Sequence, residues 1–288
     1  MAAHSKGTKL TKNTFEPRGS ICVITGGGNG IGKAIALELA KRKASTIVLV
    51  DIDTKSTTSL VSQLQQSFPR TKAMAIKANC CQEKDIRYVI NKVEHECGPI
   101  DAFFVNAGIL STGGLEVSED EWELIWKLNV MQILYVARHL MPRFVERKRG
   151  AFVITASAAG LLSMPGALPY AVTKHAAVAM AEWLAFTYAK NNIQVACLCP
   201  QAVRTDMTAL GDGNGGPAGL DGMIEPADAA RDTIETLKTG SFLILPHKQV
   251  YKHMNRKAKD YDGFLKAMMK IDSMFGETFK NVPPNSRL

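Results

Sequence analysis

The stretch Ser20-Ile21-Cys22-Val23-Ile24-Thr25-Gly26-Gly27-Gly28-Asn29-Gly30-Ile31-Gly32 decides how the rest of the chain is read. A short apolar, β-branched run turns through a glycine-rich loop into a segment of helical period, Gly30 to Arg42. The glycines fall where backbone must turn tightly and come close to a ligand. The helix N-terminus then offers unsatisfied N–H groups and a positive dipole end to an anion. Gly26, Gly28, Asn29, Gly30, Ile31 and Gly32 are therefore candidates for cradling a pyrophosphate. Asp51 comes 19 residues after Gly32, at the end of the next apolar run, where a carboxylate accepts hydrogen bonds from an adenosine ribose. Its charge opposes a 2′-phosphate, and the neighbouring Ile52 and Asn29 supply no cation, so NAD is expected over NADP. Asp53 reads as a solvated turn residue.

Outward from this loop the chain alternates short apolar runs with longer helical ones. The strands read as Ser20 to Thr25, Thr46 to Asp51, Lys72 to Lys77, Ala102 to Asn106, Gly150 to Ala156, Ile193 to Leu198 and Ser241 to Leu245. The helices read as Gly30 to Arg42, Ser56 to Ser67, Lys84 to Glu96, Ser118 to Arg147 and Tyr170 to Asn191, with a further one over Val250 to Phe275. Most of the strands are continuous apolar runs, suited to burial on both faces. The pattern predicts an α/β fold: one doubly wound domain, a parallel sheet of about seven strands with helices on both faces. Ligands of such sheets sit beyond the carboxyl ends of the strands. Residues 1–18 are expected to be a flexible tail, 19–246 the catalytic domain, and 247–288 a docked helix and extended tail. The Gly-rich stretch Met207 to Gly222 reads as a lid loop.

Composition narrows the class further. The 288 residues are 46% hydrophobic and 22% charged, which permits a packed core. The formal charge of +8 is spread along the chain, and no aromatic-interleaved basic motif points to nucleic acid. The cationic run from His247 to Lys270 reads as a solvated helix face. Six cysteines lack CxxC spacing, so reduced thiols are expected and no metal site is read. No run reaches membrane-spanning length, and the polar, basic start holds no secretory leader.

Tyr170-Ala171-Val172-Thr173-Lys174 carries the chemistry, thirteen residues after Ser157. Residues four apart share a helix face, so the Tyr170 phenol and Lys174 ammonium project into one pocket. A phenol of pKa about 10 is too weak a base near neutrality, but an adjacent cation and an oxidised nicotinamide both favour the phenolate. Tyr170 then serves as acid or base.

These residues resemble the short-chain dehydrogenase/reductase family over about Ser20 to Pro246. Thr25 to Gly32 is similar to its TGxxxGxG loop, Asn106-Ala107-Gly108 to its NNAG segment, and Tyr170 to Lys174 to its YxxxK helix. Asn129 matches the helix asparagine of the family tetrad, and Pro200, Val203 and Thr205 fall in the turn that holds the nicotinamide carboxamide. The resemblance implies a Rossmann-type domain with Tyr170 transferring the proton and Ser157 orienting the substrate oxygen. It implies that Lys174 lowers the Tyr170 pKa and binds the nicotinamide ribose, and that Asn129 holds a water that links Lys174 to solvent. Three positions depart from the pattern: Val105 for the first Asn of NNAG, Asn79 for an acid at the adenine, and Gln201 for the glycine after Pro200.

The expected activity is NAD-linked interconversion of a secondary alcohol and a ketone, running as oxidation. Leu161, Leu162, Met164, Pro165, Ala167, Leu168, Met207 and Leu210 give the pocket an apolar wall, pointing to a steroid, prostanoid, fatty or terpenoid alcohol. A 3-hydroxyacyl-CoA substrate, its phosphates met by Lys252, Arg256, Lys257 and Lys259, is the alternative enzyme. A catalytically idle NAD-binding sensor or scaffold is the alternative from another class. By analogy the long helices at Ser118 to Arg147 and Tyr170 to Asn191 build a homodimer or homotetramer. The ending Ser286-Arg287-Leu288 resembles the tripeptide read by the peroxisomal import receptor, so a peroxisomal location is expected, with the cytoplasm as alternative.

Overall fold

The computed structural model describes residues 10–11, 14–209 and 214–280. Seven strands alternate with the crossover helices in chain order: β1 (Ile21–Thr25), α1 (Gly30–Lys41), β2 (Thr46–Asp51), α2 (Thr54–Ser67), β3 (Lys72–Lys77), α3 (Glu83–Cys97) and β4 (Ala102–Val105). Next come α4 (Glu119–Trp126), a π-turn (Lys127–Met131), α5 (Gln132–Arg147), β5 (Gly150–Thr155), a short α6 (Ala159–Leu162), α7 (Leu168–Tyr188) and β6 (Ile193–Leu198). The chain finishes with α8 (Pro226–Thr239), β7 (Leu243–Ile244), α9 (Gln249–Lys259) and α10 (Tyr261–Lys280). The strands form one parallel sheet in the order β3-β2-β1-β4-β5-β6-β7, so strand order reverses between β1 and β4. The doubly wound domain read from the sequence is the observed one.

Strand alternation divides the core into two layers. In β1, Val23 faces a layer built from α3, α5 and α7, through side chains such as Ile90, Leu140, Phe144 and Ala181. Its neighbours Cys22 and Ile24 face the opposite layer, where α1, α2 and α8 contribute Ile35, Leu39, Leu64 and Ile234. Each central strand is sealed on both faces, which explains its unbroken apolar sequence.

Four differences from the sequence reading have local causes. The helix α8 is not among those read from the sequence, although Pro226 near its start, buried Ala229, Ala230, Thr233, Ile234 and Leu237, and Gly240 in left-handed geometry all mark it. The helix expected over Ser118 to Arg147 is interrupted by the π-turn, through which buried apolar residues such as Leu128, Val130 and Ile133 continue without a gap. The C-terminal helix breaks in two at Asp260, whose carboxylate accepts the Gly263 N–H at 2.8 Å and starts α10 afresh. The expected N-terminal tail is anchored before β1. Phe15 is buried edge-on against Phe104 with ring centroids 6.3 Å apart, and its N–H donates to Gln194 Oε1 at 2.8 Å.

Of the lid loop, residues 210–213, and with them Leu210, lie outside the described residues, as do 1–9 and the tripeptide Ser286 to Leu288. The described part of the loop carries a 3-10 turn, Gly216–Gly219. All six cysteines are free, as expected. No described helix is long and apolar enough to cross a membrane, and the described residues hold no cluster of three or more potential metal ligands.

Candidate active site

A cleft of about 690 Å³ opens across the carboxyl ends of the strands, at the β1/β4 reversal. At one end Gly26, Asn29, Gly30 and Ile31 line it with the first turn of α1. That turn has no capping side chain and no acid, so its amides are left for an anion. Gly32 and Gly28 do not line the cleft; they shape the loop. A Cβ on Gly32 would sit 2.1 Å from the Gly26 carbonyl oxygen, and one on Gly28 would sit 2.2 Å from Ser56 Oγ. The Gly28 N–H donates to Asp51 Oδ2 at 3.2 Å and the Asp53 N–H to Oδ1 at 3.1 Å, which fixes the carboxylate at the cleft edge beside Ile52. Asp53 also caps α2 by accepting the Lys55 N–H at 2.9 Å, a role beyond a solvated turn. This set fits a dinucleotide: donors for phosphates, a fixed acceptor for ribose, and loop glycines where side chains would collide.

Asn79 lines the cleft at the Asp51 end, just after β3, and Asn106, Ala107 and Gly108 line its middle, just after β4. Asn79 Oδ1 accepts the Cys81 N–H at 2.9 Å, so its amide NH₂ remains for a ligand. Asn106 is a strut between strands. Its Nδ2 donates to the Thr25 carbonyl at 3.1 Å, its Oδ1 accepts from the Thr155 hydroxyl at 3.1 Å, and its N–H donates to Thr25 Oγ1 at 2.9 Å. Thr155 is a site residue that the sequence reading missed, and no spacing rule points to it; Thr25 opens the loop quoted from the sequence, but its bracing role was not read there. Val105, buried in the core, replaces a polar side chain without disturbing this strut.

At the other end Ser157, Tyr170, Lys174, Pro200, Val203 and Thr205 converge on the cleft wall. The β5 end carries Ser157, whose Oγ accepts the Ala159 N–H at 3.1 Å. Tyr170 and Lys174 stand one turn apart on α7, 9% and 4% exposed. The Ser157 side chain stands close enough to the Tyr170 hydroxyl to favour its phenolate, and its own Oγ donates to the Pro200 carbonyl at 3.4 Å. Lys174 Nζ donates to the Thr155 carbonyl at 3.0 Å and lies 5.5 Å from the Tyr170 ring centre. Burial brings the Lys174 ammonium down to about 8. Burial also holds the Tyr170 phenol above its ordinary value, outweighing the Ser157 hydroxyl. The expected lowering of Tyr170 by Lys174 is thus not found in the protein alone: desolvation dominates, and the ammonium is turned to Thr155.

Asn129 does not line the cleft. The π-turn points it inward, where Oδ1 accepts the Ile109 N–H at 3.0 Å and Nδ2 donates to the Ile109 carbonyl at 3.0 Å and Thr173 Oγ1 at 3.2 Å. Its side chain thus pins the Gly108 segment to the Tyr170 helix. Gln132 adds a second pin, from its amide to the Ala107 carbonyl.

The apolar wall is only partly the one expected. Met164 and Met207 line the cleft, joined by Ile109, Leu110, Ala209 and Ala218. Leu162 and Ala167 are buried in packing clusters instead, and Leu168 faces outward. Gln201 lines the cleft, its Nε2 donating to Asp221 Oδ2 at 2.9 Å.

The comparisons with known proteins agree with this geometry. Residues 20–212 match the family model for short chain dehydrogenase. The meso-2,3-butanediol dehydrogenase of Serratia marcescens is 30% identical over 65% of this chain and 73% of its own. The estradiol 17-beta-dehydrogenase 11 of Homo sapiens is 31% identical over 68% of this chain and 66% of its own. Among solved structures, a short chain dehydrogenase/reductase from Burkholderia phymatum in complex with NAD superposes with a TM-score of 0.79, at 26% identity, over 86% of this chain and 96% of that one. L-sorbose reductase from Gluconobacter frateurii, complexed with NADPH and L-sorbose, gives 0.72 at 25% identity, over 79% of this chain and 95% of that one. A phosphate-ready helix end, a fixed acid beside it and a serine–tyrosine–lysine wall opposite, matched over 193 residues by one family model, make this chain a member of the short-chain dehydrogenase family of oxidoreductases.

Proposed function

We propose that the protein is an NAD-dependent oxidoreductase that converts a lipophilic secondary alcohol to its ketone. The observation that carries this reading is the convergence of the Ser157 and Tyr170 hydroxyls beside Lys174, on the wall of the cleft that Asp51 lines at its other end. A bound nicotinamide supplies the acceptor for the hydride leaving the carbinol carbon. Ser157 holds the substrate oxygen, and Tyr170 takes the hydroxyl proton, returning it when the reaction runs backward. Oxidation needs the phenolate, which the positive charge of the oxidised ring favours against the burial described above.

NAD rather than NADP is supported by Asp51 and by the make-up of the cleft, where Lys174 is the single cation among the described lining residues. The lipophilic substrate is supported by Ile109, Leu110, Met164 and Met207. A homodimer or homotetramer is supported by Trp183 and Phe186, 53% and 65% exposed on α7, and light scattering reads it directly.

The test is an initial-rate panel of isopropanol, menthol, a hydroxysteroid, a prostaglandin and a 3-hydroxyacyl-CoA, each with NAD and NADP, followed by reduced-nicotinamide absorbance. The reading expects turnover of a bulky free alcohol with NAD. Preference for the thioester would replace the substrate class, preference for NADP would overturn the Asp51 argument, and NAD binding with no turnover would leave a sensor or scaffold.

A further inference from the structure

Helix α9 carries two polar side chains that the chemistry above does not use, His253 and Lys257, four residues apart and so on one face. Each is tied to a different wall of the cleft. Lys257 Nζ donates to the Leu161 carbonyl at 2.8 Å, capping the last turn of α6, two residues after Ala159, whose N–H donates to Ser157. The Lys257 ammonium is held there by the rings of Tyr261 and Phe264, 5.6 and 5.3 Å from their centres. His253 Nε2 lies 2.9 Å from Asp221 Oδ2, in the lid loop, and the same oxygen accepts the Gln201 Nε2–H at 2.9 Å.

Gln201 is therefore held from the C-terminal side twice, because its N–H also donates to the buried His247 Nδ1 at 3.2 Å, just before α9. The Asp221 carboxylate fixes which way the Gln201 amide points, since the opposite flip would set two acceptors against each other. That orientation leaves Gln201 Oε1 buried without a partner, as is His247 Nε2. The joint is thus defined by the Asp221 contacts and not by full pairing of every polar atom. Between the two attachments an apolar cluster of Ala158, Leu162, Val250 and Phe264 fills the space, and α10 rests on the Gly216–Gly219 turn.

We propose that α9 is a cross-brace for the substrate end of the cleft. His253 fastens the lid wall through Asp221 and Gln201, Lys257 fastens the α6 wall, and the two together set the width of the mouth and the bulk of substrate it accepts. His253 and Lys257 are positioning residues that touch neither cofactor nor reacting atoms. The proposal rests on the oxidoreductase reading for its substrate end, and its structural half is testable without turnover.

The experiment uses the full-length protein with K257M, which keeps the aliphatic stem, K257R, which keeps the charge, and D221N, which keeps the shape. Amide hydrogen exchange over residues 158–168 and 214–222 is followed first. K257M is expected to speed exchange in the first segment and D221N in the second, with the sheet unchanged and K257R close to wild type. In steady state with NAD, KM for menthol is expected to rise about tenfold in K257M and D221N, as for a pocket that has lost its fit. The values of kcat, of KM for isopropanol and of NAD affinity are expected to stay near wild type. Unchanged exchange in both segments overturns the brace, as does a KM that moves equally for both alcohols. If the wild-type protein oxidises neither alcohol the functional reading fails, while the exchange data still decide the brace.

Discussion

Lys174 is the residue at which function and stability oppose each other. Its ammonium is buried, and burial takes its pKa from 10.5 to about 8. A folded value below the unfolded one means that the unfolded chain binds more protons, so this group destabilises the fold fully below pH 8 and the penalty fades as pH rises toward 10.5. The penalty is roughly 3 kcal/mol at about 1.4 kcal/mol per pH unit, partly offset by the bond to Thr155. K174M is therefore expected to lose activity yet to melt at least as high as wild type near neutrality, and to lose that advantage between pH 8 and 10.5. Calorimetry across that range checks the trend, and a difference that grows with pH would contradict it. At the opposite end of the cleft, D51S with I52R removes the fixed acid and adds a cation. Its NAD-to-NADP preference is expected to fall by about tenfold or more, roughly 1.4 kcal/mol, in kcat/KM measured with each cofactor. These residues were legible in the sequence because their chemistry is fixed by type and spacing. Thr155 and Thr173 were not, because a threonine that braces a backbone looks like any strand or helix threonine until its partners are known.

At the scale of elements, the β1-to-α1 turn is a tight constraint on the site. Gly32 lies so close to the Gly26 carbonyl that a methyl group must push backbone aside. G32A is expected to cost about 1–3 kcal/mol of stability and to abolish NAD binding, read by urea unfolding and by titration of protein fluorescence. Strands β2, β3 and β6 were read from the sequence with their observed ends, β2 and β6 because each is a nearly continuous apolar run and β3 because a lysine marks either end of its short apolar stretch. The π-turn at Lys127–Met131 was hidden, since the apolar residues Leu128, Val130 and Ile133 run through it with no helix breaker to mark it. It is nonetheless what turns Asn129 toward Ile109 and Thr173. The break at Asp260 had a visible sign, an N-cap acid ahead of a new apolar stripe, masked by the continuity of helical spacing on either side.

At the scale of the whole molecule, two apolar layers clamp a parallel sheet whose order reverses where the cleft opens, so the site is a consequence of topology. The segment before β1 belongs to that body: F15A removes a ring packed against Phe104 and is expected to cost about 3–5 kcal/mol by urea unfolding. An aromatic in a polar, basic lead gave no sign of this, because its partners Phe104 and Gln194 lie far along the chain. On the proposed reading the whole fold serves a proton moved by Tyr170 next to a bound nicotinamide, and the Y170F variant tests that claim most directly. With the best alcohol of the panel, turnover is expected to fall about a thousandfold or more, while NAD titration gives the wild-type affinity. A Y170F protein that keeps most of its turnover would contradict the account.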